Sequence, residues 1–339
     1  MSPASPVVRT VEVLPQVQDA AAQALPGLIA SGEAPFVVRG LVREWPLVAA
    51  GLASAQEARS YLSAHARAVD LPYSVAAPDQ GGKLFYDAQM AVNFQMASGR
   101  LPDVLARFDA AGDQPTVYLG SIDIHRYFDG LHQANHVPAV PDDALASIWI
   151  GNATRIAAHN DHPRNLACCA VGQRRFTLFP PDQFANLYLG PLDVTPAGRP
   201  VSLVDFDNPD FSRHPRYREA LAHAQVVDLH PGDALFIPSL WYHHVDATAP
   251  FNVLVNYWWR DTPRYLGQPQ TAMTHAIMAI RDLPAAERAV WRDMFEHYVF
   301  SGGEDARAHV PQAGQGILAP IDARTAQRIQ QFLLRSLSQ

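Results

Sequence analysis

From residue 68 to residue 259 the apolar residues come in short β-rich runs broken by turn formers, and this texture limits the possible folds more than any other feature of the chain. The runs are AVDLPYSV (68–75), KLFYD (83–87), TVYLGS (116–121), SIWIG (147–151), RRFTLF (174–179), ALFIP (234–238) and NVLVNYWW (252–259), with PFVVRG (35–40) an earlier one. Clusters of Pro, Gly, Asn and Asp separate them, and 28 prolines in 339 residues imply many connections. Short strands without regular strand–helix alternation predict an antiparallel sandwich or barrel rather than a doubly wound parallel sheet.

Helical periodicity lies outside the β-rich runs. Residues 16–32 and 54–66 carry apolar side chains at helix spacing, and Ser54 with Glu57 three residues later forms a capping signal. After Trp259 the segments 269–282, 284–298 and 322–337 read as helices, separated by a Gly- and Pro-containing loop around 301–320. A tail of that size cannot bury a large core alone, so its apolar stripe (Met273, Ile277, Ile280) is expected to pack on the β-rich part or on a second copy.

Lys plus Arg number 26 against 33 Asp plus Glu, a net charge of −7, which leaves no electrostatic footprint for nucleic acid or an anionic membrane. The two cysteines, Cys168 and Cys169, are adjacent, so neither an unstrained mutual disulfide nor a cysteine-based zinc site is available. No basic region followed by an apolar one opens the chain, and no run approaches the ~20 apolar residues of a membrane span. A cytoplasmic protein is expected.

The 14 histidines are where chemistry is sought. His159 and Asp161 form an H-x-D pair, and on extended backbone an i, i+2 pair shares one face and can meet one ion. A third ligand is available in HPGDALFIPSLWYHHVDA (230–247), at His243 or His244. Two His and one carboxylate make the facial triad of non-haem iron oxygenases. Taken singly, His159 also reads as a turn cap and His243 as a core histidine.

The surrounding words carry a resemblance. H-N-D followed by Asn165 and Leu166, then VGQRRFTLFPP (171–181), VDFDNPD (204–210), GDALFIP with W-Y-H-H (232–244) and NYWW (256–259) occur in order. The chain resembles the cupin-like JmjC oxygenases, and among them is similar to the asparaginyl hydroxylase acting on hypoxia-inducible factor. The likeness runs from about residue 116 to 262. It implies a mainly β protein with helices: a double-stranded β-helix (jelly-roll) core at 116–262, an N-terminal α/β elaboration at 1–115, and a C-terminal helical region at 263–339 through which relatives dimerise.

It further implies Fe(II) held by His159, Asp161 and His243, with His244 as the competing third ligand. 2-Oxoglutarate is implied as co-substrate with O₂, its far carboxylate reaching Arg174 and Tyr118, with Asn165 and Asn256 lining its pocket. Trp258, which matches an aromatic near the iron, and Trp241 are candidates for the substrate entrance, with core packing the favoured alternative for most of this aromatic cluster. Two positions depart from the nearest pattern: Arg174 stands for a lysine, and Ile156 for a threonine. Arginine offers a planar fork and keeps the charge. The reaction implied is hydroxylation of a peptide or protein side chain. The rivals are a non-catalytic metal or ligand sensor, motivated by the two departures, and an N-methyl-lysine demethylase.

Overall fold

The computed structural model describes residues 9–13, 18–109 and 114–338. The expected opening of the first helix at 16 and the segment 1–8 fall outside these residues. In chain order the strands are β1 (Arg9–Thr10), β2 (Glu12–Val13), β3 (Phe36–Val38), β4 (Asp70–Ala76), β5 (Lys83–Leu84), β6 (Phe94–Arg100), β7 (Thr116–Asp123) and β8 (Leu145–Gly151). They continue as β9 (Thr154–Asn160), β10 (Arg164–Val171), β11 (Arg174–Phe179), β12 (Gln225–Leu229), β13 (Ala234–Ile237), β14 (Tyr242–Ala247) and β15 (Asn252–Trp259). They form a six-stranded sheet, β1-β12-β11-β14-β9-β5, and a nine-stranded sheet, β2-β3-β13-β10-β15-β8-β7-β4-β6. Pairing is antiparallel except where the short strands β1, β2 and β5 join.

The result is a cupin-like double-stranded β-helix. Phe176, Leu178 and Leu229 of the smaller sheet pack between the sheets with Leu235 and Leu254 of the larger. The outer face of the larger sheet, with Ile148, Ile150 and Val253, buries against α1 (Gln18–Ser31), α2 (Pro46–Ala53) and α3 (Ala55–His65) through Leu25, Leu47 and Leu62. The expected cap is present: the Ser54 hydroxyl accepts the Glu57 N–H at 3.0 Å. The segment KLFYD gives only the two-residue β5, because Phe85 N–H donates to Asn93 Oδ1 at 2.8 Å and Asp87 organises a turn instead.

The chain divides into two compact units, Met1–Arg260 and Asp261–Gln339. The second unit holds helices at Pro269–Ile280, Ala285–Phe295, Glu304–Ala308 and Ala323–Leu337. Of its described residues only Ala306 and Ala326 are buried, while Met278, Trp291, Phe300, Phe332 and Leu334 are exposed. No helix of the described residues is long and apolar enough to cross a membrane.

Candidate active site

β9 and β14 are neighbours in the smaller sheet, with His159 opposite His243. Their register then slips: Val245 pairs with Ile156, so Ala157 and Ala158 together face His244 alone. Such a bulge shifts the in–out alternation of the strand that carries the extra residue. Ile156 and His159, three apart, therefore both line one cavity, while Ala158 packs outside with Phe179 and Tyr242. His244 also faces out, stacked on Phe206 at 4.7 Å with Nε2 3.2 Å from Asp246 Oδ1.

One ligand atom from each of His159, Asp161 and His243 lies within 4.8 Å of the others. The ring centroids of the two histidines are 4.5 Å apart, and His243 Nε2 is 3.7 Å from Asp161 Oδ2. His159 Nδ1 lies 2.9 Å from the Ala157 carbonyl and His243 Nδ1 3.2 Å from that of Trp241. A carbonyl only accepts, so Nδ1 carries the proton on both rings and each Nε2 lone pair is left for an ion. Burial, with His159 adding to it against the opposing charge of Asp161, pushes the His243 pKa down to about 4, so the ring is neutral. Asp161 lies just beyond β9, where its carbonyl accepts the N–H of Leu240 at 2.8 Å. That bond ties the aspartate to the loop leading into β14.

The cavity beside this cluster has a volume of about 260 Å³ and walls from both sheets. Arg174 enters it from β11 and is only 3% exposed. The turn before it needs glycine: Gly172 has φ +78°, and a Cβ there would lie 2.3 Å from Asn252 Oδ1, which accepts the Gln173 N–H at 3.1 Å. Arg174 donates to the Tyr118 hydroxyl oxygen and, from Nη2, to the Trp149 carbonyl at 3.4 Å. Its Nε is buried with no partner, and among the described residues no carboxylate pairs with it. Burial lowers the Arg174 pKa, while the same burial, opposed by the Arg174 charge, raises that of Tyr118 to about 12. Arg175, one residue on, turns outward into a two-pronged pair with Asp228 at 2.8 and 2.9 Å.

Asn165 and Asn256 both line the cavity, Asn256 Nδ2 donating to Asn165 Oδ1 at 3.2 Å. Trp258 lines it too, and its indole N–H is buried without an acceptor. The expectation for Trp241 is corrected: its ring belongs to the core between the sheets, with Nε1 donating to the Glu33 carbonyl at 3.2 Å, and it lines no part of this cavity. Asp205 and Asp210 organise turns, Asp205 also pairing with Lys83 at 3.0 Å. Arg174 borders a second cavity of about 610 Å³, which no member of the His–Asp–His cluster lines.

Sequence reasoning missed Trp149, which lines the cavity and donates to Asn256 Oδ1 at 2.7 Å. The alternation in SIWIG was the available signal, since Ile148 and Ile150 face the opposite side. Phe94 and Met96, also in the wall, lay in a stretch with no motif.

Two imidazoles, each with Nδ1 turned to a backbone carbonyl, and a carboxylate on one side of a half-buried point suit a first-row divalent ion with open positions left for ligands. A buried cation with no carboxylate paired to it, in the cavity beside the cluster, suits an anionic ligand such as a carboxylate.

A cupin-like domain pattern matches residues 23–265. The chain is 36% identical over 121 residues to the lysine-specific demethylase JMJ31 of Arabidopsis thaliana, a stretch that is 35% of this chain and 22% of that protein. It is 29% identical over 174 residues to tRNA wybutosine-synthesizing protein 5 of Danio rerio (50% of each). To the human HSPB1-associated protein 1 it is 32% identical over 136 residues, 39% of this chain and 27% of that one. The chain thus spans half or less of the length of these relatives. A match over most of the chain, on a double-stranded β-helix, places this protein in the cupin-like domain family of JmjC type.

Proposed function

We propose that the protein is an Fe(II)- and 2-oxoglutarate-dependent dioxygenase that hydroxylates a side chain of a peptide or protein. The observation that carries this reading is Arg174: a buried guanidinium with no carboxylate partner among the described residues and an unpartnered Nε, in the same cavity as the His–Asp–His cluster. His159, Asp161 and His243 would hold the iron. When bound, iron with 2-oxoglutarate and O₂ converts a C–H to C–OH while the co-substrate leaves as succinate and CO₂.

The chain's own residues do the rest. Arg174 and Tyr118 fix the far carboxylate of the co-substrate, the guanidinium by charge and the phenol by a short hydrogen bond. Asn165 and Asn256 are locked to each other and to Trp149, which keeps the wall rigid around the ligand. Ile156, Phe176, Val245 and Leu254 exclude water from it. The unpartnered Trp258 N–H offers the substrate one donor at the wall.

The asparaginyl-hydroxylase likeness of the sequence words supports a peptide side chain as target. The names of the relatives attach lysine demethylation to one and tRNA modification to another, so the chemistry is the shared part and the substrate is chosen outside the cluster. The exposed apolar helices of the second unit support a homodimer, because two buried residues make no core. Two buried free cysteines suit a reducing, cytoplasmic setting.

The test is anaerobic titration with Fe(II) and 2-oxoglutarate, followed by admission of O₂. Binding of both and release of succinate are expected. No binding of 2-oxoglutarate, or binding unchanged in Asp161→Ala, overturns the reading.

A further inference from the structure

We propose that the free edge of β6 takes up an extended segment of the substrate polypeptide as an added strand. The inference rests on the oxygenase reading and deepens it by assigning how the substrate is recognised.

β6 is the last strand of the nine-stranded sheet. All seven of its residues pair with β4, from Ala76 opposite Phe94 to Asp70 opposite Arg100, with no break in register. Its other edge has no strand partner among the described residues. Proteins commonly blunt such edges with charge, proline, a bulge or a covering element. Phe94-Gln95-Met96-Ala97-Ser98-Gly99 has no charge, no proline and no bulge, and Met96 is 66% exposed. An edge left this open over six residues, beside a cavity, is suited to a strand that comes and goes.

The direction of its backbone groups follows from the neighbours. Val117 N–H donates to Asn152 Oδ1 at 3.1 Å, away from β4, so Val75 opposite it turns its own N–H and carbonyl toward β6. Gln95, opposite Val75, is therefore bonded to β4, and the N–H and carbonyl groups of Phe94, Met96 and Ser98 face the free edge. The side chains of Phe94 and Met96 line the cavity, with the Ser74 hydroxyl 3.4 Å from the Met96 sulfur on the same face. A strand laid beside β6 continues that pleat. Every second side chain of the guest then turns to the cavity side, and main-chain bonds hold the backbone whatever its sequence.

The probe is an array of degenerate peptides about 12 residues long, each fixed at one central residue, with affinity read by surface plasmon resonance. The tightest binder is then methylated at one backbone nitrogen at a time. Strand addition predicts losses of roughly tenfold or more at alternate positions and about twofold or less between them. Ser98→Pro removes one outward N–H without touching the β4 ladder or the cavity wall, and is expected to weaken the peptide roughly tenfold while 2-oxoglutarate affinity holds within about twofold. Methylation effects without a period of two, wild-type peptide affinity in Ser98→Pro, or no peptide binding by protein that binds 2-oxoglutarate overturns the inference. So does conversion of a dimer to a monomer by Ser98→Pro, which would assign the edge to a second copy. Failure of 2-oxoglutarate to bind overturns the oxygenase reading instead, and the methylation pattern still decides the edge.

Discussion

Arg174→Met keeps an unbranched side chain of similar reach and deletes the buried cation. In the empty protein that cation has no carboxylate partner, and a buried ion in that position costs several kcal/mol even after relaxation. Against this stand its hydrogen bonds to the Tyr118 oxygen and the Trp149 carbonyl, worth about 1 kcal/mol each. The variant without ligand is expected to gain roughly 1–3 kcal/mol of stability, a few degrees of melting temperature. With 2-oxoglutarate the sign reverses. Deleting a two-pronged guanidinium–carboxylate pair in a dry site costs roughly 2–4 kcal/mol, or about 30- to 1,000-fold in Kd. Thermal melts with and without 2-oxoglutarate, under anaerobic Fe(II), read both effects at once. At a concentration about 100 times Kd the wild type gains ~2.7 kcal/mol from ligand, and the variant almost none. A variant that melts lower than wild type when empty, or keeps the full ligand-induced rise, refutes the assignment of Arg174 as an anion receptor held ready at a cost in stability.

Asp161→Asn keeps the shape of the ligand set and removes its charge; iron affinity measured anaerobically by calorimetry should fall by roughly 100-fold or more, whereas His244→Ala, on the outer face, should leave it within about twofold. His132 packs against His125 and His136 at ring distances of 4.5 and 5.0 Å. Burial and those two neighbours push its pKa down to about 4 from 6.5. The unfolded chain takes up that proton first, so the stability is whole above pH 6.5 and is lost as pH falls toward 4; roughly 1–2 kcal/mol is expected after solvent screening of a half-buried ring. Urea midpoints at pH 7 and pH 5 should differ less in His132→Gln than in the wild type. For the helical unit, light scattering should give a dimer mass at micromolar concentration, and Phe332→Asp or Leu334→Asp, placing a charge on the exposed apolar face, should give a monomer at unchanged far-ultraviolet circular dichroism.

Much of the barrel was legible because its strands announce themselves by composition: RRFTLF and NVLVNYWW match β11 and β15 residue for residue. The strands that escaped are those whose sequence lacks alternation. β10 is buried on both faces and reads as one apolar run, β6 sets Phe94 and Met96 among Gln, Ala, Ser, Gly and Arg, and β14 carries two histidines in a row. At the site, ordered sequence words pointed to His159, Asp161, His243, Arg174 and Tyr118, and the structure brings all five to one cavity. Trp241 takes the core-packing alternative, because proximity along the chain to His243 says nothing about which side of a strand's approach a ring takes. The preference for His243 over His244 rests on the resemblance alone, since strand alternation in the sequence does not distinguish them. Which of the two faces the cavity depends on where an extra residue sits in the facing strand.

The extra residue among Ala157 and Ala158 lets Ile156 stand opposite Val245 and His159 opposite His243, so that all four lie on the cavity side. Loss of one alanine codon would restore the regular ladder with both pairs intact, since Ile156, a single alanine and His159 then alternate in, out and in. A slip that removed the bulge at constant length would instead bring His159 opposite Tyr242 and turn it outward. The proposed histidine ligand of β9 therefore survives a shorter strand but not a straightened one.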